Sequence, residues 1–147
     1  MEASRPLIER GEHVLDLAVP ARPVWVVGDH TRLAQVVSNL LNNAAKYTPP
    51  GGRIALSLAS ERDCARIQVA DNGAGIAQAM LPRVFDLFIQ ADDALPHAQG
   101  GLGIGLSLVR QLVELHGGTV RADSDGLGQG SRFTLWLPRS RRASRRA

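Results

Sequence analysis

At 147 residues, 44% of them hydrophobic and 21% charged, the chain is long enough to bury one core and has the make-up of a soluble globular domain. No apolar run approaches the ~20 residues that cross a bilayer and no signal-peptide pattern opens the chain, so the reading is a cytoplasmic domain whose parent is free to be membrane-anchored. The net charge of +3 falls to −2 without Arg139, Arg141, Arg142, Arg145 and Arg146, so the basic balance belongs to a tail and no nucleic-acid face is expected.

Residues 1–12 carry little pattern and read as a junction from an upstream domain. Residues 13–138 read as the domain itself, and 139–147 as a basic, disordered tail. Val14–Val19 and Val24–Val27 are short β-type runs on either side of a turn bounded by Pro20 and Pro23. Asp29 or Thr31 can then cap a helix, because a side-chain oxygen there accepts from a backbone N–H that the first helical turn leaves unpaired. The helix is expected to run to about Lys46, with Leu33, Val36, Val37, Leu40, Leu41 and Ala44 as its buried stripe. Pro49-Pro50-Gly51-Gly52 stops it.

Arg53–Ala59 and Ala65–Ala70 alternate apolar with polar residues, as the half-buried strands of a hairpin do. Cys64, the lone cysteine, has no internal disulfide partner, suits a reducing compartment, and reads as a small core residue. Beyond Asp71–Gly75 a short helical stretch leads to Phe85–Phe88, and the polar segment from Gln90 to Gly101 reads as a mobile loop. Leu102–His116 is a second apolar helix, closed by Gly117-Gly118. Thr119–Ala122 and Ser131–Leu137 complete the chain as strands around a Gly-rich turn. This order predicts a mixed sheet covered on one face by helices.

Three polar features stand out from that frame. Asn39, Asn43 and Lys46 lie at i, i+4 and i+7, on one helix face read as turned away from the apolar stripe. An amide oxygen is a neutral hard ligand of the kind Mg²⁺ takes alongside phosphates and water, and a lysine one turn on can neutralise the same phosphates. Taken alone, the stripe reads more readily as a solvated face. Asp71-Asn72-Gly73-Ala74-Gly75 follows a strand directly. Taken alone it reads more readily as a plain turn than as a backbone that approaches a flat ligand while the carboxylate accepts from an exocyclic amine. Gly100, Gly101, Gly103 and Gly105 open the second helix, where each glycine costs about 1 kcal/mol against alanine. Bare N–H groups at a helix start form an anion site that glycines let phosphates reach. No Lys-Ser or Lys-Thr follows, so this is not a Walker A loop.

In this order the motifs resemble those of the catalytic ATP-binding domain of sensor histidine kinases, in the superfamily that includes gyrase, heat-shock chaperone and mismatch-repair ATPases. Residues 32–49, with Asn39, Asn43 and Lys46, resemble the family's N box; Asp71-x-Gly73-x-Gly75 resembles its first glycine box. Phe85-Asp86-Leu87-Phe88 resembles its F box, and Gly101-x-Gly103-x-Gly105-Leu106 its second glycine box. The resemblance implies a two-layer α/β sandwich of the Bergerat type, a mixed and mostly antiparallel sheet of about five strands on three helices. It further implies ATP and Mg²⁺ as cofactors. By matching position Asn43 would ligate the metal, Asn39 would support metal or phosphates, Lys46 would contact phosphate and Tyr47 would line the site. Asn43 and Lys46 are then the catalytic positions. Asp71 would read the adenine amine above Gly73 and Gly75, with Ile76 beside them. Gly101, Leu102, Gly103, Ile104, Gly105 and Leu106 would hold the phosphates, Thr134 would complete the nucleotide contacts, and residues 86–100 would form a lid.

Superfamily members that hydrolyse ATP carry a glutamate four residues before the metal asparagine, where this chain has Asn39, and an amide cannot act as general base. That favours phosphoryl transfer to an acceptor brought from elsewhere. His13, His30, His97 and His116 lack the acidic residue and proline that usually follow a phosphoaccepting histidine. The expected partners are therefore an upstream dimerisation and phosphoacceptor domain and a downstream response regulator, with the isolated domain monomeric. The family's lids often hold an Arg or Lys, and residues 90–101 contain neither. A serine kinase acting on a sigma-factor regulator and a non-catalytic nucleotide sensor stay open as alternatives.

Overall fold

Two helices lie on one face of a five-stranded sheet, with Val36, Leu40, Leu41 and Ala44 of the expected stripe fully buried between the layers and Leu33 and Val37 partly so. The computed structural model describes residues 13–20, 26, 28–85 and 102–139, side chains excepted at 102–105. In chain order the elements are β1 (Val14–Ala18), α1 (His30–Tyr47), β2 (Arg53–Glu61), β3 (Cys64–Asp71), a 3₁₀ turn (Leu81–Arg83), α2 (Leu102–Leu115), β4 (Thr119–Asp123) and β5 (Ser131–Pro138). The sheet order is β1-β2-β3-β5-β4. β1 runs parallel to β2, because α1 carries the chain back between them, and the other neighbours are antiparallel.

Val36, Leu40, Leu41 and Ala44 of α1 meet Ile54, Leu56, Val69, Phe133 and Leu135 of the sheet and Val109 and Val113 of α2 in one buried cluster. Leu40, Leu41, Ile54 and Leu135 are fully enclosed, and burial of each such side chain stabilises the fold by roughly 1.5–3 kcal/mol. Phe85 meets Phe133 edge-on with ring centroids 5.9 Å apart, which ties the segment after β3 to the same core.

The helix ends follow from named groups. Of the two capping candidates the chain uses Asp29: its Oδ1 accepts from the Arg32 N–H at 3.0 Å. α2 closes in a Schellman arrangement, with the Gly118 N–H bonded to the Val113 carbonyl and the Gly117 N–H to that of Glu114, Gly117 taking φ 79°. His116 joins the two helices. Its Nδ1 lies 2.7 Å from the Leu112 carbonyl oxygen and its Nε2 accepts from the Asp29 N–H at 3.1 Å. The end of α2 is thereby fastened to the start of α1.

The structure departs from the expectations at three places, and a fourth, Val24–Val27, is only partly described. Among the described residues there are two α-helices rather than three; the stretch after Gly75 makes i→i+3 turn bonds and only the one-turn 3₁₀ segment, where Pro82 lacks the donor that a longer helix needs. In Val24–Val27, Val26 makes an isolated bridge to Arg139, and the rest lies outside the described residues. Cys64 is not a core residue: it sits half-buried at the β2–β3 turn, while its neighbour Ala65 takes the inward position at 2% exposure. Arg139, assigned to the tail, donates its backbone N–H to the Asp63 carbonyl at 2.8 Å and so belongs to the folded body.

Candidate nucleotide-binding site

β3 ends at Asp71, opposite Ile54 of β2 and Ser131 of β5, with its side chain on the face that meets the helices. One carboxylate oxygen accepts from the Gly73 N–H at 2.8 Å and the other from the Ser131 hydroxyl at 2.9 Å. Burial pushes the carboxyl above its usual 3.8; the bonds from Gly73 and Ser131 and the nearby His13 ring pull partly back. A half-buried carboxylate held by donors on two sides is a fixed acceptor with lone pairs to spare.

The turn that follows is pressed against the end of α1. A Cβ at Gly73 would collide with the Tyr47 carbonyl oxygen and stand 2.8 Å from the Thr48 Cα, and the next residue, Ala74, donates its N–H to that same Tyr47 carbonyl at 2.9 Å. Gly75, at φ 73°, packs as closely on the Gly126 carbonyl of the β4–β5 loop. These glycines are therefore required by contacts within the protein, whatever ligand approaches them. Ile76 is buried in the core, and its N–H donates to the Ser124 hydroxyl at 3.0 Å.

Asn43 lies one turn before Tyr47 on α1. Its side chain is buried at 5% exposure, and its Oδ1 has no hydrogen-bond partner among the described residues. The expectation that Asn39, Asn43 and Lys46 face away from the apolar stripe is corrected. At 100° per residue Asn43 falls about 20° from Val36, so it points inward while Asn39 and Lys46 lie half-buried beside it. A buried carbonyl oxygen without a donor costs stability unless something binds it. A hard cation that takes its remaining ligands from phosphates and water fits such an atom. Thr48, which ends α1, is also buried, and its hydroxyl, also without a partner among the described residues, faces the position of Gly73.

The remaining expected residues divide. Leu102, Gly103, Ile104 and Gly105 form the first turn of α2, and Leu106 is part of the core. Gly101 and the expected lid, 86–100, lie outside the described residues. Thr134 is not brought to the site. Phe133, Leu135 and Leu137 face the helices, so Thr134, between them, projects from the opposite face, where its hydroxyl accepts from the Gln68 amide at 3.1 Å. Ser131, which the sequence reading passed over as a site residue, is the β5 hydroxyl on the Asp71 side. Its parity with Phe133 and Leu135 was the available signal.

A family profile described as histidine kinase-, DNA gyrase B-, and HSP90-like ATPase matches residues 28–141. The circadian input-output histidine kinase CikA of Synechococcus elongatus is 43% identical over 125 residues, covering 85% of this chain and 16% of that protein, so the chain corresponds to a small part of it. Among solved structures, the mycobacterial sensor histidine kinase MprB is 31% identical with a TM-score of 0.77, covering 94% of each chain. Full-length ShkA in complex with AMPPNP is 30% identical with a TM-score of 0.80, covering 95% of this chain and 28% of that one. Among the described residues no helix is long and apolar enough to cross a membrane. The chain belongs to the histidine kinase-, DNA gyrase B- and HSP90-like ATPase family, and within it resembles the catalytic domains of sensor histidine kinases.

Proposed function

We propose that the domain binds Mg-ATP between α1 and the Asp71 turn and donates the γ-phosphoryl group to a histidine on a separate, upstream phosphoacceptor domain, from which a response regulator is served. The observation that carries this reading is the buried Asn43 amide oxygen without a partner among the described residues, one turn from where the Asp71 turn meets α1. Asn43 would hold the metal, Lys46 and Asn39 would flank the phosphates, and Asp71 would accept from the adenine amine. The metal, when bound, supplies charge neutralisation on the phosphates. The chain's own task is positioning, which is most of what phosphoryl transfer requires.

The choice of transfer over hydrolysis rests on Asn39, an amide where a water-activating carboxylate would be needed. Residues 90–101 carry no Arg or Lys, so the charge that assists the leaving phosphoryl group would come from the partner domain. Incubation with labelled ATP and a phosphoacceptor domain is expected to give acid-labile phosphate on that domain. Acid-stable phosphate would point to a serine kinase, and none at all to a nucleotide sensor.

Asp71→Ala is expected to weaken ATP binding by about 1.5–3 kcal/mol, roughly ten- to a hundredfold, as for a lost hydrogen bond to a charged group. GTP, which presents a carbonyl where adenine has its amine, should bind the unaltered chain poorly. Equal affinities for the two nucleotides in a competition titration would remove Asp71 from that role.

The same carboxylate sets a pH signature. Because its pKa is raised above 3.8, the folded chain holds this proton more tightly than the unfolded chain does. The stability it contributes is complete below 3.8 and is lost as the pH rises through the raised value. Asp71→Asn keeps an acceptor for Gly73 and does not titrate. Its stability relative to the unaltered protein should therefore be most favourable at neutral pH and should decline on acidification, read from urea melts at neutral and mildly acidic pH. An advantage that grew with acid would contradict the burial of this charge.

A further inference from the structure

The turn that carries Asp71 is held from behind by the β4–β5 loop, and one side chain gathers the bonds that hold it. The Gly128 N–H donates to the Ala74 carbonyl at 2.7 Å and the Gly130 N–H to that of Gly73 at 3.1 Å. Gly126, Gly128 and Gly130 all take positive φ, a backbone that glycine adopts without strain. Ser124 adds side-chain ties to these backbone bonds. Its oxygen accepts from the Ile76 N–H at 3.0 Å and from the Gly126 N–H at 3.2 Å. A hydroxyl has one proton to give, and the shorter of its two acceptor contacts is the Gly130 carbonyl at 2.7 Å, against 3.2 Å to that of Gly126. The Ser124 carbonyl in turn accepts from the Gln78 amide at 3.0 Å.

These bonds fall on both flanks of the carboxylate. Ile76 ends the turn that begins at Asp71, and Gly130 immediately precedes Ser131, whose hydroxyl donates to Asp71. We infer that Ser124 is a positioning residue for purine recognition, fixing the Asp71–Ile76 turn and the Ser131 hydroxyl relative to one another without itself touching the base. The inference rests on the reading of Asp71 as the adenine acceptor. Removing the hydroxyl leaves the Ile76 N–H and the Gly130 carbonyl without their partner. The loop is then held to the turn by the Gly128–Ala74 and Gly130–Gly73 backbone bonds alone, and the Ile76 end of the turn and the Gly130 carbonyl beside Ser131 lose their common tie. The metal end of the site, on Asn43, is left in place.

Calorimetric titration of the full chain with AMPPNP and with adenosine, each for the unaltered protein, Ser124→Ala and Ser124→Thr, tests this. Ser124→Ala should lose about tenfold for both ligands, the measure of one well-placed hydrogen bond, with the gain from Mg²⁺ unchanged. Ser124→Thr, which keeps the hydroxyl, should recover most of that loss. Ser124→Ala binding both ligands normally, even with a lowered melting temperature, would overturn the inference, since the hydroxyl would then serve stability alone. A loss confined to AMPPNP would overturn it too, because the defect would lie at the phosphates. An unaltered chain that binds neither ligand would remove the purine reading itself, and the role of Ser124 with it. Should Ser124→Ala fail to fold, amide exchange in the unaltered protein decides. Slower exchange of the Ile76 N–H on adding AMPPNP supports the positioning role, and exchange indifferent to nucleotide refutes it.

Discussion

Gly73 against the carbonyl end of α1 is the contact on which the site depends. The Tyr47 carbonyl accepts the Ala74 N–H at 2.9 Å, and there is no room for a side chain between them. One side of the joint is the last turn of the helix that carries Asn43 and Lys46; the other begins two residues earlier with Asp71. The Asn43 amide and the Asp71 carboxylate, on elements distant in sequence, are thereby held in a fixed relation. The same constraint accounts for the buried Asn43 oxygen, which has no partner among the described residues, since α1 cannot rotate to expose it without breaking the joint.

Around this joint the fold is arranged in supporting layers. The apolar stripe of α1 lies on the sheet, α2 lies beside it, and His116 ties the far end of α2 to the cap of α1. On the other side of the turn, Ser131 and the Gly-rich loop fix the carboxylate and the backbone behind it. Keeping a half-buried Asp71 charged is unfavourable for the empty protein, as its raised pKa indicates. On the proposed reading, a base amine hydrogen-bonded to that carboxylate would offset part of this cost and so couple binding to local stability at one residue.

Much of this was legible in the sequence, for reasons that differ by residue. α1 and α2 were found nearly to their ends because apolar side chains at helical spacing, an Asp cap and a Gly-Gly stop all agreed. Asp71, Gly73 and Gly75 stand out in the sequence by their place after a strand, yet the resemblance assigns the glycines to the ligand when contacts within the protein demand them. Asn43 was placed on the wrong face because spacing from Asn39 and Lys46 was weighed without its angle to Val36. Thr134 is named as a site residue without regard to the two-residue period of β5, which turns it to the opposite face. Ser124 is not legible in the sequence, because a serine in a Gly-rich loop shows its partners, Ile76 and Gly130 among them, only in the folded chain.

The most direct test of the account is calorimetric titration of AMPPNP into the domain with Mg²⁺ and with a chelator, repeated on Asn43→Ala. The account predicts binding that is strengthened by Mg²⁺ in the unaltered chain and loses most of that dependence in the variant, while adenine recognition persists. Equal binding with and without the metal in the unaltered chain would contradict the role given to Asn43. No binding at millimolar AMPPNP would contradict the site as a whole.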